Sequence, residues 1–153
     1  MFGFKKRPLV LNAPVIGQSL RMEDVPDPMF AKKMIGDGAA FIFEGDTVYA
    51  PCRAKVILFV STRHAIGLEV DGVQILLHVG IDTVTLQGQG FSALVNVGDR
   101  VKQGQPLLKL DREYLAAQNA DLTTMMLITS KGREFAVQDI GDVDLKSPVI
   151  IFR

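Results

Sequence analysis

The chain has 153 residues, and its 17 basic side chains are balanced by 17 acidic ones. That length fits one domain with a core of its own, and the charge balance offers no broad positive field to recruit nucleic acid. No apolar run approaches the roughly 18 residues needed to span a bilayer as a helix, and a single cysteine, Cys52, excludes an internal disulfide framework.

Phe2 to Arg7 mix aromatic and basic side chains without the apolar region a secretory signal needs. So short a segment is also a weak membrane anchor. Residues 1–8 read as a tail and 9–153 as a single domain, and the lone cysteine fits a cytoplasmic protein. Residues 8–15 begin the first strands, with Ala13-Pro14 marking a bend. A helix signal follows over 22–35: Asp27 is placed to cap, and Pro28 takes the first helical position, where its missing amide costs nothing. Met29, Phe30 and Ile35 are apolar where a single turn can present them outward, and ordinary core is the alternative for them.

From Gly36 onward the pattern changes to short apolar runs at 39–43, 47–50, 55–60, 65–70 and 73–79. Turn signals about every 8–12 residues favour an all-β, antiparallel sandwich or barrel. Gly36-Asp37-Gly38 followed by Gly45-Asp46-Thr47-Val48 is echoed by Gly88-Gln89-Gly90 followed by Gly98-Asp99-Arg100-Val101, which suggests two related half-sheets. Residues 111–119 form the best helix candidate, capped by Asp111. Residues 125–130 and 149–152 read as closing strands. The Asp-rich stretch 139–144 reads as a solvated turn, since it lacks the ligand spacing of a calcium loop.

The chemistry concentrates in residues 72–84, Gly-Val-Gln-Ile-Leu-Leu-His-Val-Gly-Ile-Asp-Thr-Val. His78 sits in an aliphatic run between Gly72 and Gly80, the signature of a buried strand. Taken alone, that strand fits a core histidine satisfied by backbone. The chain's only other histidine, His64, lies on the far side of an Asp71-Gly72 hairpin signal. A three-residue loop of Val70, Asp71 and Gly72 sets His64 opposite His78, Ile66 opposite Leu76 and Leu68 opposite Gln74, with histidine Cβ atoms about 5 Å apart. A two-residue loop shifts the register by one and sends the histidines to opposite faces, unless a bulge at Gly67 restores them. Two imidazoles facing each other on an aliphatic surface read as a site. A neutral imidazole is a competent nucleophile that can form a phosphohistidine. Thr62, two residues before His64 and on the same strand face, can fix the His64 tautomer with its hydroxyl. A phosphoryl group on such a patch needs local donors, and Gly80 would leave room for backbone amides.

Residues 72–84 resemble the phosphorylation-site signature of the glucose family of enzyme IIA proteins of the bacterial sugar phosphotransferase system. The pattern is Gly, two variable residues, three aliphatics, His, aliphatic, Gly, aliphatic, any residue, Thr, aliphatic, and every fixed position is met. The similarity extends through Glu23-Asp24-Val25-Pro26-Asp27, Gly36-Asp37-Gly38, Ala50-Pro51, Thr62-Arg63-His64-Ala65, Gly88-Gln89-Gly90-Phe91 and Gly98-Asp99-Arg100-Val101, and weakens after about Leu122. The resemblance implies a duplicated β-sandwich of the hybrid type with one or two short helices. It implies a phosphotransferase component that acts as a carrier: His78 takes a phosphoryl group from phospho-HPr and passes it to the cysteine of an enzyme IIB domain of a sugar permease. His64 and Thr62 would support it, and no cofactor or metal is implied. Met29, Phe30, Ile35, Val60, Leu76, Gly80 and Val84 would form a water-poor docking surface, with Asp27 and Asp82 meeting basic residues of the donor.

Cys52-Arg53-Ala54 replaces the usual Val-Asp-Gly of relatives, Val60 and Leu76 stand where aromatics are common, and Pro28 replaces an aliphatic. Cys52 itself reads as a small, semi-buried residue. Three other readings compete. A zinc hydrolase of similar β architecture would need a third ligand, with Asp82 as a candidate. A lipoyl- or biotinyl-type carrier is suggested by Gly98 to Gln105 but lacks the exposed lysine on a tight hairpin. A purely regulatory module would dock partners without chemistry.

Overall fold

In the computed structural model, which describes residues 8–153, every paired strand runs antiparallel to its neighbours. The chain begins with β1 (Leu9–Asn12), β2 (Gly17–Leu20), a 3-10 turn at Met22–Asp24 and α1 (Pro28–Ala31). Then come β3 (Asp37–Phe43), β4 (Thr47–Tyr49), β5 (Ala54–Phe59), β6 (Ala65–Val70) and β7 (Val73–Ile81), closed by a 3-10 turn at Thr83–Leu86. The second half adds β8 (Phe91–Ala93), β9 (Arg100–Val101), β10 (Pro106–Leu110), α2 (Arg112–Ala117) and β11 (Asp121–Ile128). β12 (Phe135–Val137), β13 (Asp142–Val143) and β14 (Pro148–Phe152) complete it. The expected tail lies outside the described residues apart from Pro8.

Eight strands form one large sheet in the order β13-β2-β3-β11-β7-β6-β5-β9, and two three-stranded sheets, β1-β14-β12 and β4-β10-β8, complete the sandwich. The main core fills one face of the large sheet with Phe41, Ile66, Leu68, Ile75, Leu77, Val79 and Met126. A second, smaller core lies on the other face, where Met22, Val25 and Phe30 cover Ala40, Met125 and Leu127. Burying one such aliphatic or aromatic side chain contributes about 1.5–3 kcal/mol. β11, in the middle, is therefore covered on both sides, which explains its unbroken buried run from Thr123 to Ile128.

The 22–35 helix signal resolves into two short pieces. Pro26 and Pro28 disfavour helical backbone at the residues before them, and Val25 and Asp27 are both extended. The Asp27 carboxylate caps α1 by accepting the Met29 N–H at 2.9 Å, as Asp111 caps α2 through Tyr114 N–H at 3.1 Å. Two further expectations are corrected. β11 starts at Asp121 rather than at 125, because the threonines of its first half are buried between neighbouring strands. The 139–144 turn contains a strand, β13, whose Asp142 pairs with Gln18 at the sheet edge.

The β6–β7 hairpin takes the two-residue loop: Val70 pairs with Val73, and Asp71 and Gly72 both have positive φ, 49° and 78°. Gln74, Leu76 and His78 therefore face the second core, and no register shift interrupts the pair at Gly67. His78 is opposite Ala65, not His64. By alternation alone His64 would point into the main core. The strand instead ends at Ala65, the Arg63 N–H bonds to the Val60 carbonyl, and Arg63 adopts φ 59°. That tight turn frees His64 and Thr62 from the alternation of the strand.

Candidate functional site

A row of side chains runs across the outer face of the large sheet, Leu20–Ala40–Met125–His78–Ala65, each residue paired in register with the next. Within the row Ala40 and Met125 are fully buried and Ala65 nearly so. The ring of His64 reaches His78 from the turn that precedes β6. The two imidazoles meet edge to face, centroids 4.8 Å apart and planes at 79°. On its other side His78 packs against Phe30 at 4.9 Å and 56°. His78 is thus held between two rings on a half-buried surface.

The ring nitrogens of His78 have different environments. Nδ1 is buried and lacks a hydrogen bond of good geometry, which leaves Nε2 as the accessible atom. Burial, and then the neighbouring His64, push the His78 pKa down to about 4, partly offset by the Gly80 backbone and the Asp27 carboxylate. Burial also lowers the pKa of His64, against a smaller opposing effect of the Thr62 backbone. Both rings are neutral near pH 7. The Thr62 hydroxyl lies 2.7 Å from His64 Nδ1; when it donates there, the His64 proton sits on Nε2.

The other expected site residues divide. Met29 and Val84 are about half exposed, at 51% and 52%, and Asp82 is exposed. Val60 is partly buried, as are Ile35 and Leu76, which pack on the second core. Phe30 was expected to face outward, yet it is 4% exposed, because the first turn of α1 is rolled onto Met22 and Val25. It supplies the wall behind His78 rather than a contact surface. Asp27 is already engaged as a cap. Gly80 leaves no open room: a Cβ there would lie 2.3 Å from Thr83 Cγ2 and 2.8 Å from the Asp121 carbonyl oxygen. Its φ of +91° is the left-handed conformation that favours glycine.

Two residues join the site without having been singled out in the sequence. Leu58, 47% exposed, lies across Gly67 from Leu76, so a shallow aliphatic floor continues beyond the histidines. Its side of the sheet is readable only once the irregularity opposite Gly67 and Leu68 is known. Thr83 is buried and donates to the Val79 carbonyl at 2.6 Å. Cys52 is buried more deeply than expected, which pushes its thiol up to about 12 and makes it inert. Among the described residues no three His, Cys, Asp or Glu side chains converge to hold a metal ion, so the zinc-hydrolase reading gains no ligand set.

What this geometry can do is nucleophilic: one neutral imidazole with an accessible nitrogen, a second within reach as a hydrogen-bond donor, and apolar side chains that keep water away. Comparison with known proteins leads to the same chemistry. The family described as phosphoenolpyruvate-dependent sugar phosphotransferase system, EIIA 1, matches residues 9–133. The solved structure of glucose permease IIA from Mycoplasma capricolum superposes with a TM-score of 0.88 at 32% sequence identity, over 99% of each chain.

Proposed function

This chain belongs to the EIIA 1 family of the phosphoenolpyruvate-dependent sugar phosphotransferase system and is a phosphoryl carrier of sugar uptake, and we propose that Nε2 of His78 is the atom that carries the group. The observation behind this assignment is the half-buried histidine pair, in which one ring nitrogen is sealed and the other accessible. Carriers of this family exchange phosphoryl groups with HPr and with an EIIB domain of a sugar permease. In the first step the Nε2 lone pair attacks phosphorus, a P–N bond forms to His78, and the P–N bond to the donor histidine breaks. In the second the EIIB cysteine thiolate attacks, a P–S bond forms, and the imidazole leaves.

The transition state is loose, so the chain contributes position and charge stabilisation. Phe30 and Met125 hold the ring in place, and the His64 Nε2–H, set by Thr62, donates to a phosphoryl oxygen. Met29, Leu58, Leu76 and Val84 form the contact surface that excludes water at each encounter, protecting a hydrolysable bond. We infer that residues 9–153 act as one domain, which the continuous core from Leu9 to Phe152 supports. Among the described residues no helix is long and apolar enough to cross a membrane, and we place the exchange in the cytoplasm.

Incubation with phosphoenolpyruvate, enzyme I and HPr tests the assignment. The chain takes up an acid-labile, alkali-stable label, and His78→Ala takes up none. His64→Gln accepts the label but passes it to EIIB on the order of 10²-fold more slowly, the range of a lost transition-state donor. A labelled His78→Ala contradicts the role of His78 as carrier, and normal transfer by His64→Gln contradicts the role of His64 as donor.

A further inference from the structure

The C-terminal turn of α1 carries two sulfurs that the transfer chemistry above does not use. Lys33 there has φ 58°, its N–H donates to the Phe30 carbonyl at 2.9 Å, and the Met34 N–H reaches back to the Met29 carbonyl at 3.0 Å. Those two bonds close the helix end in the common left-handed pattern, which sets Met29 and Met34 at positions that frequently meet in an apolar contact. The Lys33 ammonium lies 2.9 Å from Glu23 and 3.5 Å from Asp37, tying the turn to the 3-10 turn before it and to the start of β3. Exposure divides the methionines of the described residues. Met22, Met125 and Met126 are at most 2% exposed, whereas Met29 is 51% and Met34 69% exposed. Met125, paired in register with His78, is therefore closed to solvent. The two open thioethers flank the helix turn whose Phe30 packs on His78 at 4.9 Å.

We propose that Met29 and Met34 form a reversible oxidation site for hydrogen peroxide and related peroxides, and that their sulfoxides weaken docking at the histidine face. The effect on docking rests on the reading of Met29 as part of the contact surface. In the oxidation step the thioether sulfur attacks one peroxide oxygen: an S–O bond forms, the O–O bond breaks, and the other oxygen leaves as water with the proton of the transferred hydroxyl. Sulfur is oxidised and the peroxide reduced. The product is a polar, strongly accepting group in place of a soft apolar one. On a surface that closes against a partner with little water, that oxygen is left without a donor, and an unpaired acceptor costs binding. His78 keeps its lone pair and its buried neighbour Met125, so the histidine pair survives while access to it is lost. Reduction of both sulfoxide epimers restores the thioethers.

The whole chain is treated with hydrogen peroxide, the oxidant is removed with catalase, and peptide mass spectrometry locates each added oxygen without any partner. Stopped-flow transfer from phospho-HPr is then compared before and after treatment within each variant. In the native chain oxygen enters Met29 and Met34 before Met22, Met125 or Met126. Acceptance slows on the order of tenfold, through KM, the size of effect expected of one unpaired polar group. Methionine sulfoxide reductases of both epimer specificities bring the untreated rate back. In the double variant Met29→Leu, Met34→Leu, whose new side chains are apolar and take up no oxygen, the treated and untreated rates are equal. Oxygen entering the buried methionines first overturns the proposal, as does an unchanged rate in the native chain oxidised at both sites. So does an equal loss in the double variant, or a loss that the reductases do not reverse. Failure of the carrier assignment gives a different result, an untreated native chain unlabelled at His78 whatever its methionines do.

Discussion

In the proposed transfer His78 attacks phosphorus in neutral solution and needs a free lone pair, which burial on an apolar sheet face favours. With its pKa pushed down to about 4, the ring stays neutral well below the pH at which an ordinary histidine, near 6.5, takes up a proton. Acceptance of the phosphoryl group should therefore persist as pH falls through 6.5 and fail only as it nears 4. A ring-nitrogen NMR titration gives the same midpoint directly, and a His78 midpoint near 6.5 would show that burial does not control it. The linkage to stability has a definite sign. The unfolded chain protonates His78 near 6.5 while the folded chain resists to about 4, so stability is lost as pH falls across that window and is flat above it. His64, also lowered, acts in the same direction. Thr62 and His64 were legible as a pair from their spacing. The edge-to-face contact with His78 was legible only through a register that the hairpin does not adopt: the expected three-residue loop is a two-residue one, and the turn at Val60 to Arg63 brings the rings together instead.

At the scale of elements, the short α1 and the 3-10 turn before it act as a clamp over the outer sheet face. The Asp27 cap and the prolines around it could be read from residue types, because their effects are local. The inward turn of Phe30 could not, since it depends on Met22, Val25 and Leu127 arriving from two other parts of the chain. Asp27→Ala should cost about 1 kcal/mol, the usual loss for a helix N-cap, measurable as a lower denaturant midpoint at unchanged slope. Phe30→Ala should cost more, about 3 kcal/mol, the low end for a core phenylalanine in a segment free to settle. It should also raise the His78 midpoint towards that of free histidine, because its wall against water is gone. An unchanged His78 titration in folded Phe30→Ala would separate the ring from the electrostatics of the site. Gly80→Ala combines a positive φ with a clash on Thr83 and should destabilise the end of β7, seen as faster amide exchange at Val79 and Ile81.

On the scale of the whole molecule, the sandwich provides one sheet face on which, in the proposed mechanism, two different proteins reach the same atom. Its all-β character was evident from the spacing of short apolar runs and turn residues. The eight-stranded sheet was not, because its brief edge strands, β9 and β13, have two residues each and no pattern of their own. The exposed floor at Leu58 likewise emerges only from the completed sheet. Leu58→Glu, a charge on a surface meant to exclude water, should leave the fold intact and slow transfer from phospho-HPr on the order of tenfold, mainly through KM; an unaltered KM would place that residue outside the docking face. The most direct test of His78 as carrier lies in the phosphorylated protein itself. With the chain labelled in nitrogen-15 and charged through phospho-HPr, phosphorus–nitrogen coupling should appear on Nε2 of His78; coupling on Nδ1 of His78, or on either nitrogen of His64, would contradict it.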